Sequence, residues 1–404
     1  MDNLTHLDQA TSTPIESPAP VLKVVGLGGG GCNAVNRMIE HGMHGVDFIA
    51  CNTDKQALAG SRADLKIQLG PKSTRGLGAG GIPAIGERAA EESFQALADA
   101  LDGADMVFLT AGMGGGTGTG AIPVAARVSK TIGAVTIAVV TTPFSFEMGR
   151  RQKNAAIGLQ KLRKHTDTMI TVPNDRLLEV APLDLPLEMA FKLADDVLRQ
   201  GVSGISELLT ETGLINVDFA HVRHVMALGG GALMSVGTGE GVDKAMKALD
   251  QALHHPMLDE VNLDTAAGII ANFSGGADLT FSELAEALEY LNHTSGNQAE
   301  IIPGVISDPN LHDRTQVILI VTGLGALPID QVIPGAERFL AEIVEKTPVR
   351  PSHPRPKRTS TEASTEMREE HKPTYSFSAE NSAMTSANLD IPAFLRKRVE
   401  GRYG

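Results

Sequence analysis

The stretch Gly112-Met113-Gly114-Gly115-Gly116-Thr117-Gly118-Thr119-Gly120 decides the fold class of this chain. An apolar segment at 106–110 precedes it, and residues 124–130 after it have the spacing of a helix. Such a loop surrounds one point with bare backbone N–H groups, a helix N-terminus and two hydroxyls, which suits the phosphates of a triphosphate. A flexible linker of the same composition would have neither the strand before it nor the helix after it. The stretch therefore predicts a phosphate-binding loop at the carboxyl end of a buried strand.

A second glycine run, residues 26–33, also follows an apolar strand and precedes a helical segment. It fits G-x-G-x-x-G, the pattern of dinucleotide-binding loops, through Gly26, Gly28 and Gly31. The pattern alone is weak, and a tight turn between a strand and a helix is the alternative. The acidic residue at the expected distance, Asp47, begins the second strand, whereas a ribose contact needs the end of that strand. No G-x-x-x-x-G-K-[ST] motif occurs, so the chain is not a P-loop nucleotide hydrolase.

Composition excludes several classes of protein. The chain has 404 residues, of which 42% are hydrophobic, and a net charge of −13, which gives no basic footprint for nucleic acid. Its longest apolar run, 132–140, is too short to span a bilayer, and its first twenty residues lack the basic start of a secretory signal. The two cysteines and the scattered histidines have no metal-ligand spacing, so we expect no protein-held metal and a cytoplasmic location.

Short apolar strands alternate with helix-length segments along most of the chain, which predicts an α/β fold with a parallel sheet. Strands are predicted at 21–26, 46–51, 65–69, 105–110, 135–141 and 168–172. A helix at 187–211 is about twice the usual length and is predicted to join two domains. Beyond it, helices near 218–228, 241–254 and 280–291 alternate with strands at 268–273, 301–306 and 316–321. The sequence therefore predicts two α/β domains around one long helix.

The ends of the chain differ in composition from its middle. Residues 1–20 and 328–388 are rich in Pro, Ser, Thr and charge without an apolar period, so we expect a disordered tail and a flexible linker, with a short helix possible at 329–345. Apolar side chains return at 389–398, before a final tail at 399–404. That segment is predicted to be a docking peptide, and its candidate contact residues are Ile391, Pro392, Phe394, Leu395 and Arg396. Attraction of its basic residues to a membrane surface is the weaker alternative.

The motifs, taken together, resemble the tubulin/FtsZ family of GTPases. GGGGCNAV, NTD, GLGAG, AGMGGGTGTG, PFSFE, PNDRLL and NVDFA occur in the family's order, over about 21–325, and the resemblance resumes at 389–398. It implies a Rossmann-like GTP-binding domain at 21–186, a central helix at 187–211 and a smaller GTPase-activating α/β domain at 212–327. It further implies GTP as substrate, GDP as product, Mg²⁺ as a cofactor and head-to-tail filaments.

The same resemblance implies a role for individual residues. The phosphates are expected to contact Gly28, Gly29, Gly30, Asn33, Gly114, Gly115, Gly116, Thr117, Gly118 and Thr119. The ribose is expected to contact Asn52, Glu147 and Arg151, although Glu147 and Arg151 could equally be a simple i,i+4 ion pair. Phe191 is expected to pack on guanine and Asp196 to pair with its N1–H and exocyclic amine. A carboxylate suits that role because it accepts both of guanine's donors and finds no such pair on adenine.

One position departs from the family pattern. The family's loop N-x-D-x-A-D carries two carboxylates to the nucleotide of the next subunit, and here Asp218 matches the first whereas His221 replaces the second. A carboxylate near the γ-phosphate can orient and polarise water, whereas a histidine has one acceptor when neutral and none when protonated. Asp218 and His221 are therefore the candidate catalytic residues, with slow GTP turnover expected. His221 as a surface residue without a chemical role is the alternative.

Three functions follow from these observations. The leading one is a self-polymerising GTPase of the division ring, whose site is completed by the next subunit. The second is a slow or inactive member of the same family that acts as a nucleotide-stabilised scaffold. The third, an NAD-linked oxidoreductase, would use only the first glycine loop. The resemblance also implies membrane-tethering division proteins such as FtsA as partners of the C-terminal peptide, and assembly at the division site.

Overall fold

The computed structural model describes residues 19–324 except 148, 180, 183, 211, 212, 216, 230, 257 and 259–262, together with 329, 333 and 336. Grouped by its contacts, the chain divides at residue 348, and every described residue belongs to the first unit. The predicted docking peptide and final tail lie outside the described residues. So do residues 1–18 and, apart from the three named above, the predicted linker and the short helix at 329–345.

The described part of the chain contains ten strands. They are β1 (Leu22–Leu27), β2 (Val46–Asn52), β3 (Leu65–Gln68), β4 (Met106–Gly112), β5 (Val135–Thr142), β6 (Thr168–Pro173), β7 (Gly231–Glu240), β8 (Gly268–Gly275), β9 (Glu300–Ser307) and β10 (Arg314–Thr322). The α-helices are α1 (Gly28–Glu40), α2 (Lys55–Ala59), α3 (Pro83–Glu92), α4 (Phe94–Leu101), α5 (Thr117–Ile132), α6 (Arg150–Leu162), α7 (Asn174–Glu179), α8 (Leu187–Thr210), α9 (Phe219–Ala227), α10 (Lys244–Leu253) and α11 (Phe281–Thr294).

All ten strands belong to one sheet with the order β3-β2-β1-β4-β5-β6-β7-β10-β8-β9. Strands β1 to β6 pair in parallel, as their near-continuous apolar sequences predict for strands buried on both faces. Alternate residues of β1 point to opposite faces: Leu22 and Val24 pack in the same core as α1 and α8, whereas Val25 and Leu27 pack with α4 and α5. The predicted parallel sheet with helices on both faces is confirmed.

The second half of the sheet is mixed. β7 continues the parallel half through two residue pairs, Met169 with Gly231 and Ile170 with Ala232. β10 then pairs antiparallel with both β7 and β8, and β9 pairs in parallel with β8. The predicted domains at 21–186 and 212–327 therefore share one sheet within the described residues.

Helix α8 lies against both halves of the sheet. Its apolar stripe, spaced by three and four residues, places Leu198, Val202 and Ile205 in the core that also contains Val139 of β5 and Ile318 of β10. Gly204 allows close approach here, since a Cβ at this residue would lie 2.9 Å from the Ile318 side chain. The stripe explains why such a long helix is stable, because one face is buried along most of its length.

Candidate functional site

The two glycine loops lie side by side at one edge of the sheet. In the order β3-β2-β1-β4-β5-β6, the chain passes from β1 to β2 on one side and from β4 to β5 on the other side. The loops that follow β1 and β4 are the two glycine runs. Ligands of open α/β sheets bind at the carboxyl ends of the strands at such a switch point. The fold therefore defines a nucleotide-binding protein, and it brings the predicted loops together at that point.

A cavity of about 410 Å³ opens between the loops, within the usual size of a small-ligand site. Both loops contribute backbone to its wall, and the loop residues among those predicted to bind phosphate are Gly29, Gly30, Gly115, Gly116, Thr117 and Gly118. Asn33, Glu147, Arg151 and Phe191 line the same cavity. One contiguous site thus collects residues that are up to about 160 positions apart in the sequence.

Close backbone packing explains two of the glycines. A Cβ at Gly31 would lie 2.3 Å from the carbonyl oxygen of Thr110, so α1 could not begin so close to β4 with any other residue. Gly28 has φ +72°, and a Cβ there would lie 2.7 Å from the backbone nitrogen of Gly118. Gly28 therefore joins the two loops and does not line the cavity.

Hydroxyl and amide side chains fix the loops to one another. The Thr53 and Thr117 hydroxyl oxygens are 2.6 Å apart, which links the end of β2 to the start of α5. Asn154 of α6 donates from its side-chain amide to the carbonyl oxygens of Gly81, at 3.2 Å, and Gly114, at 3.1 Å. The third glycine cluster, 76–81, is thereby attached to the second loop.

Besides Gly28, three residues predicted to touch the phosphates or the ribose do not line the cavity. The Thr119 hydroxyl is buried and accepts a hydrogen bond from the Gly114 backbone N–H at 2.8 Å, so both residues hold the loop's shape. Asn52 is also buried, and its side-chain oxygen accepts from the Asp54 backbone N–H at 3.2 Å. In this structure these side chains support the loops from behind the cavity.

Glu147 and Arg151 form the ion pair that their spacing suggests, and both also line the cavity. Glu147 is almost buried, and its second carboxylate oxygen accepts from the Phe144 backbone N–H at 3.0 Å. Arg151 is 58% exposed, so it can move while Glu147 stays fixed. The ion-pair alternative and the proposed ribose contact are therefore compatible.

The structure places Asp195, rather than Asp196, at the cavity beside Phe191. Asp196 instead accepts hydrogen bonds from Arg199 Nε at 2.7 Å and Gln200 Nε2 at 2.9 Å on its own helix. The physical reason is helix geometry, because adjacent residues point about 100° apart whereas residues i and i+4 share a face. Phe191 and Asp195 are such an i,i+4 pair, a signal in the sequence that would have identified Asp195.

Asp195 is nearly buried and has one charged partner, Arg37 of α1, whose Nε lies 3.4 Å from its Oδ2. Burial raises the pKa of the Asp195 carboxyl to about 6, and the hydrogen bond and charge of Arg37 oppose that rise. Asp195 is therefore ionised at neutral pH and becomes protonated in mildly acidic solution.

Sequence reasoning also missed Asn174, the first residue of α7. It lines the cavity and is 6% exposed, and its side-chain oxygen has no hydrogen-bond partner within the described residues. A buried amide oxygen without a partner is costly, so a ligand donor at this point would stabilise it. The feature of the sequence that could have identified Asn174 is its position directly after a parallel strand, at the same edge of the sheet as the glycine loops.

Phe191 is 40% exposed in the described protein, although it is a large aromatic residue. Its ring packs edge-on against Phe144, with centroids 5.5 Å apart and an interplanar angle of 81°. Phe144 in turn stacks on Phe146. The Phe191 ring is thus held on one side by Phe144, and the residue lines the cavity.

The two candidate catalytic residues lie elsewhere. Asp218 is the N-cap of α9 and His221 lies in its first turn, and both side chains are exposed. Neither lines the nucleotide cavity of the same chain. The predicted docking residues Ile391, Pro392, Phe394, Leu395 and Arg396 fall outside the described residues.

Two kinds of feature are absent from the described residues. Within them, no helix is both long and apolar enough to cross a membrane. In the same part of the chain, no three His, Cys, Asp or Glu side chains are grouped closely enough to hold a metal ion.

Comparison with known proteins identifies the family. Residues 21–182 match the Tubulin/FtsZ family, GTPase domain, and residues 230–325 match the FtsZ family, C-terminal domain. An empty FtsZ dimer from M. jannaschii is 46% identical, with a TM-score of 0.74, over 77% of this chain and 90% of that one. CetZ2 from Haloferax volcanii, solved as a GTPγS-bound protofilament, is 18% identical, with a TM-score of 0.68, over 80% of this chain and 99% of that one. The CetZ2 match is a likeness of fold alone.

The chain belongs to the FtsZ family. This confirms the predicted tubulin/FtsZ-like fold and the GTPase class, and it sets aside the NAD-linked oxidoreductase. The family consists of GTP-hydrolysing, polymerising cytoskeletal proteins, and the cavity described above lies in the part of the chain that matches its GTPase domain.

Proposed function

We propose that this protein polymerises head to tail when it binds GTP and hydrolyses that GTP at the junction between subunits. The observation that carries the proposal is the separation of the site into two parts. The cavity with both glycine loops lies at the carboxyl edge of the parallel strands, whereas Asp218 and His221 are exposed and do not line it. A head-to-tail contact that joins two different surfaces does not close on itself and therefore produces filaments.

Guanine is proposed to bind between Phe191, Asn174 and Asp195. The Asp195 carboxylate can accept from both N1–H and the exocyclic amine, which adenine does not offer as an adjacent pair. Asn174 lines the same cavity and has an amide with both donor and acceptor groups, so it suits the remaining polar edge of the base. Phe191 supplies an aromatic surface for stacking. Asp195 replaces Asp196 in the base contact that we expected from the sequence.

The triphosphate is proposed to lie against Gly29, Gly30 and the 115–118 stretch, whose backbone N–H groups surround it. Mg²⁺, when bound, would neutralise charge on the phosphate oxygens. This ion takes oxygen ligands and usually obtains most of them from phosphate and water. Thr117 lines the cavity, and its hydroxyl is an oxygen ligand of that hard type. The Glu147 and Arg151 pair is proposed to contact the ribose.

In the proposed hydrolytic step, Asp218 of the next subunit orients the attacking water, while His221 contributes less than a carboxylate would. A neutral imidazole has a single acceptor nitrogen, whereas a carboxylate has two acceptor oxygens. We therefore propose slow, assembly-dependent turnover. The scaffold alternative differs from this proposal only in the rate of GTP turnover. It is supported by the same observation, namely that His221 stands where the family pattern has an acid.

A complementation experiment tests the divided site. Gly115→Asp places a negative charge in the phosphate cavity, and the backbone tolerates it because a Cβ at Gly115 has no atom within 4 Å. Asp218→Ala removes the acid from the opposite surface. Each variant alone should release phosphate slowly, whereas a mixture should recover activity, because the intact cavity of one chain meets the intact Asp218 of the other.

The control is wild-type protein diluted below the concentration at which light scattering detects assembly, where specific activity should fall. If the mixture of variants stays as inactive as its components although it assembles, the site is not divided between subunits and the proposal is wrong.

We further propose that the filaments form the division ring, in the cytoplasm at the division site. The segment 389–398 would dock on a membrane-tethering division protein such as FtsA. Its sequence supports this, because Ile391, Phe394 and Leu395 supply apolar contacts beside three basic residues, at the end of a long polar linker.

A further inference from the structure

We infer that Arg37 is a positioning residue that fixes the Asp195 carboxylate for recognition of the guanine base. The inference rests on the proposed role of Asp195 and extends it to a residue of a different helix. Arg37 lies on α1 and Asp195 on α8, and these helices pack against each other beside the cavity.

The geometry allows the Asp195 carboxylate to contact Arg37 and a ligand at the same time. Arg37 Nε lies 3.4 Å from Asp195 Oδ2, and within the described residues no other hydrogen bond to this carboxylate occurs. The contact restrains rotation of the side chain and uses one acceptor site of Oδ2, so Oδ1 and the second acceptor site of Oδ2 remain for the two donors of guanine. Both groups are mostly buried, with 25% of the arginine and 16% of the aspartate side chain exposed. Their attraction is therefore less screened than that of an exposed pair.

The other charged groups on the elements around Asp195 have partners of their own. On α8, Asp196 pairs with Arg199 and Lys192 with Glu188, and Glu207 also has a partner. On the remaining elements that face this helix or the cavity, the charged pairs are Glu40 with Arg62, Glu147 with Arg151 and Arg176 with Glu179. Asp175 of α7 accepts a hydrogen bond from the Ser145 backbone N–H at 2.9 Å, and Glu300 of β9 lies 3.6 Å from His224. Strands β5 and β6, which also pack on α8, have no charged residue. Arg37 is thus the cation that contacts Asp195.

The pairing also explains how a buried carboxyl stays ionised. Burial raises the pKa of Asp195 to about 6, and Arg37 lowers it from the higher value that burial alone would give. A protonated Asp195 would present an O–H donor to one of guanine's donors. With Arg37 present, the Asp195 carboxylate can therefore accept hydrogen bonds from guanine at a lower pH than it could without this arginine.

The test compares binding of GTP with that of ITP, which has the same triphosphate but lacks the exocyclic amine. Because titration of the phosphates is common to both nucleotides, the ratio of their affinities reports on the base contact. Wild type should lose its preference for GTP as the pH falls below about 6, because a nucleotide that binds the ionised carboxylate lowers its pKa from the value of about 6 in the free protein. Arg37→Met should lower that preference by about five- to fiftyfold at pH 7 and move its pH midpoint upward by about one unit.

Two variants are matched to this one. Arg62→Met removes an arginine that pairs with Glu40, which lies on the same helix as Arg37. Arg62 has no contact with Asp195, so this variant should behave as wild type. Arg37→Lys keeps a charge without the planar guanidinium and should give an intermediate pH midpoint. Should Arg37→Met fold poorly, as judged by thermal unfolding, the lysine variant provides the same comparison.

The outcomes separate this inference from the proposed function. If Asp195→Asn lowers the preference for GTP whereas Arg37→Met changes neither the preference nor its pH midpoint, the positioning role is wrong and the base contact stands. If Asp195→Asn leaves the preference unchanged, both ideas are wrong.

Discussion

The side-chain Oδ1 of Asp218 accepts a hydrogen bond from the backbone N–H of Ala220 at 3.2 Å and thereby caps helix α9. The residue proposed to orient water is therefore also a structural element of its own subunit. A helix cap contributes about 0.5–2 kcal/mol. A simple alanine substitution consequently mixes two effects, loss of the carboxylate and fraying of the helix that positions His221.

Asparagine separates these effects, because it caps helices as well as aspartate does but cannot act as a base. We expect Asp218→Asn to keep the unfolding midpoint of wild type and to lower GTP turnover about 100-fold or more. Asp218→Ala should lower both the unfolding midpoint and the rate of GTP turnover. The measurement is phosphate release from filaments shown to be assembled by light scattering. Normal turnover by the asparagine variant would mean that Asp218 acts only as a cap.

Restoring an acid at residue 221 should speed hydrolysis. We expect His221→Asp to raise the turnover rate by about one to two orders of magnitude, which is at or below the lower end of the range of about 10²- to 10⁴-fold that is usual for acid–base assistance. Filaments of this variant should also disassemble sooner, because GDP accumulates faster. His221→Asn, which adds no charge, is the matched control. An unchanged or lower rate in the aspartate variant would show that the histidine is catalytic itself or irrelevant.

The two adjacent acids of α8 should differ in their effect on nucleotide affinity. Asp195→Asn presents an amide donor to guanine's donors, so we expect GTP affinity to fall roughly 5- to 150-fold. Asp196→Asn should change it by no more than about twofold, since that carboxylate is bound by Arg199 and Gln200. Equilibrium titration of both variants gives the comparison. A large loss in Asp196→Asn alone would restore the assignment made from the sequence.

The first glycine loop provides a test of packing. Gly31→Ala places a methyl group 2.3 Å from the Thr110 carbonyl oxygen, and we expect the unfolding midpoint without nucleotide to fall by roughly 5 °C or more. Gly29→Ala meets no atom within 4 Å, so its midpoint should stay within about 1 °C of wild type. Calorimetry of both nucleotide-free variants measures this. Equal midpoints would mean that α1 can shift away from β4.

The C-terminal segment should be separable from assembly. A chain that ends at Ala387 should polymerise and hydrolyse GTP as the full chain does, because it retains every residue of the proposed nucleotide site. It should no longer be recruited to vesicles that carry the tethering protein. Sedimentation of filaments and of vesicles distinguishes the two properties. Loss of polymerisation after truncation would contradict a docking role.

The sequence predicted β2 to β6 to within two residues at either end, because continuous apolar runs are typical of buried parallel strands. It did not predict β7, in which Gly231, Gly237 and Gly239 interrupt the apolar pattern. The structure supplies the reason: a Cβ at Gly237 would lie 2.0 Å from the Ala248 carbonyl oxygen of α10. Gly237 and Gly239 are needed for the close approach of this helix, which local patterning cannot indicate.

Like the parallel strands, the two nucleotide-binding loops could be predicted from the sequence, because their glycines form continuous runs. The choice between Asp195 and Asp196 was not, since it depends on the rotation of α8 about its axis. That rotation is set by the packing of Leu198 and Val202 against the sheet. The distinction between threonines that line the cavity, such as Thr117, and those that hold the loop from within, such as Thr119, likewise depends on tertiary contacts.

The apolar cluster around α8 has a consequence for cooperativity. It contains Val139 and Ile170 from the parallel half of the sheet and Ile270 and Ile318 from the mixed half, with Leu198 among them. Neither half can expose its part of this cluster without exposing the other's, so the two halves are expected to melt in a single transition. A nucleotide that binds only the native state then protects both halves by mass action. Cells that are short of GTP would hold this protein closer to its proteolytic threshold, including the half that does not line the nucleotide cavity of its own chain.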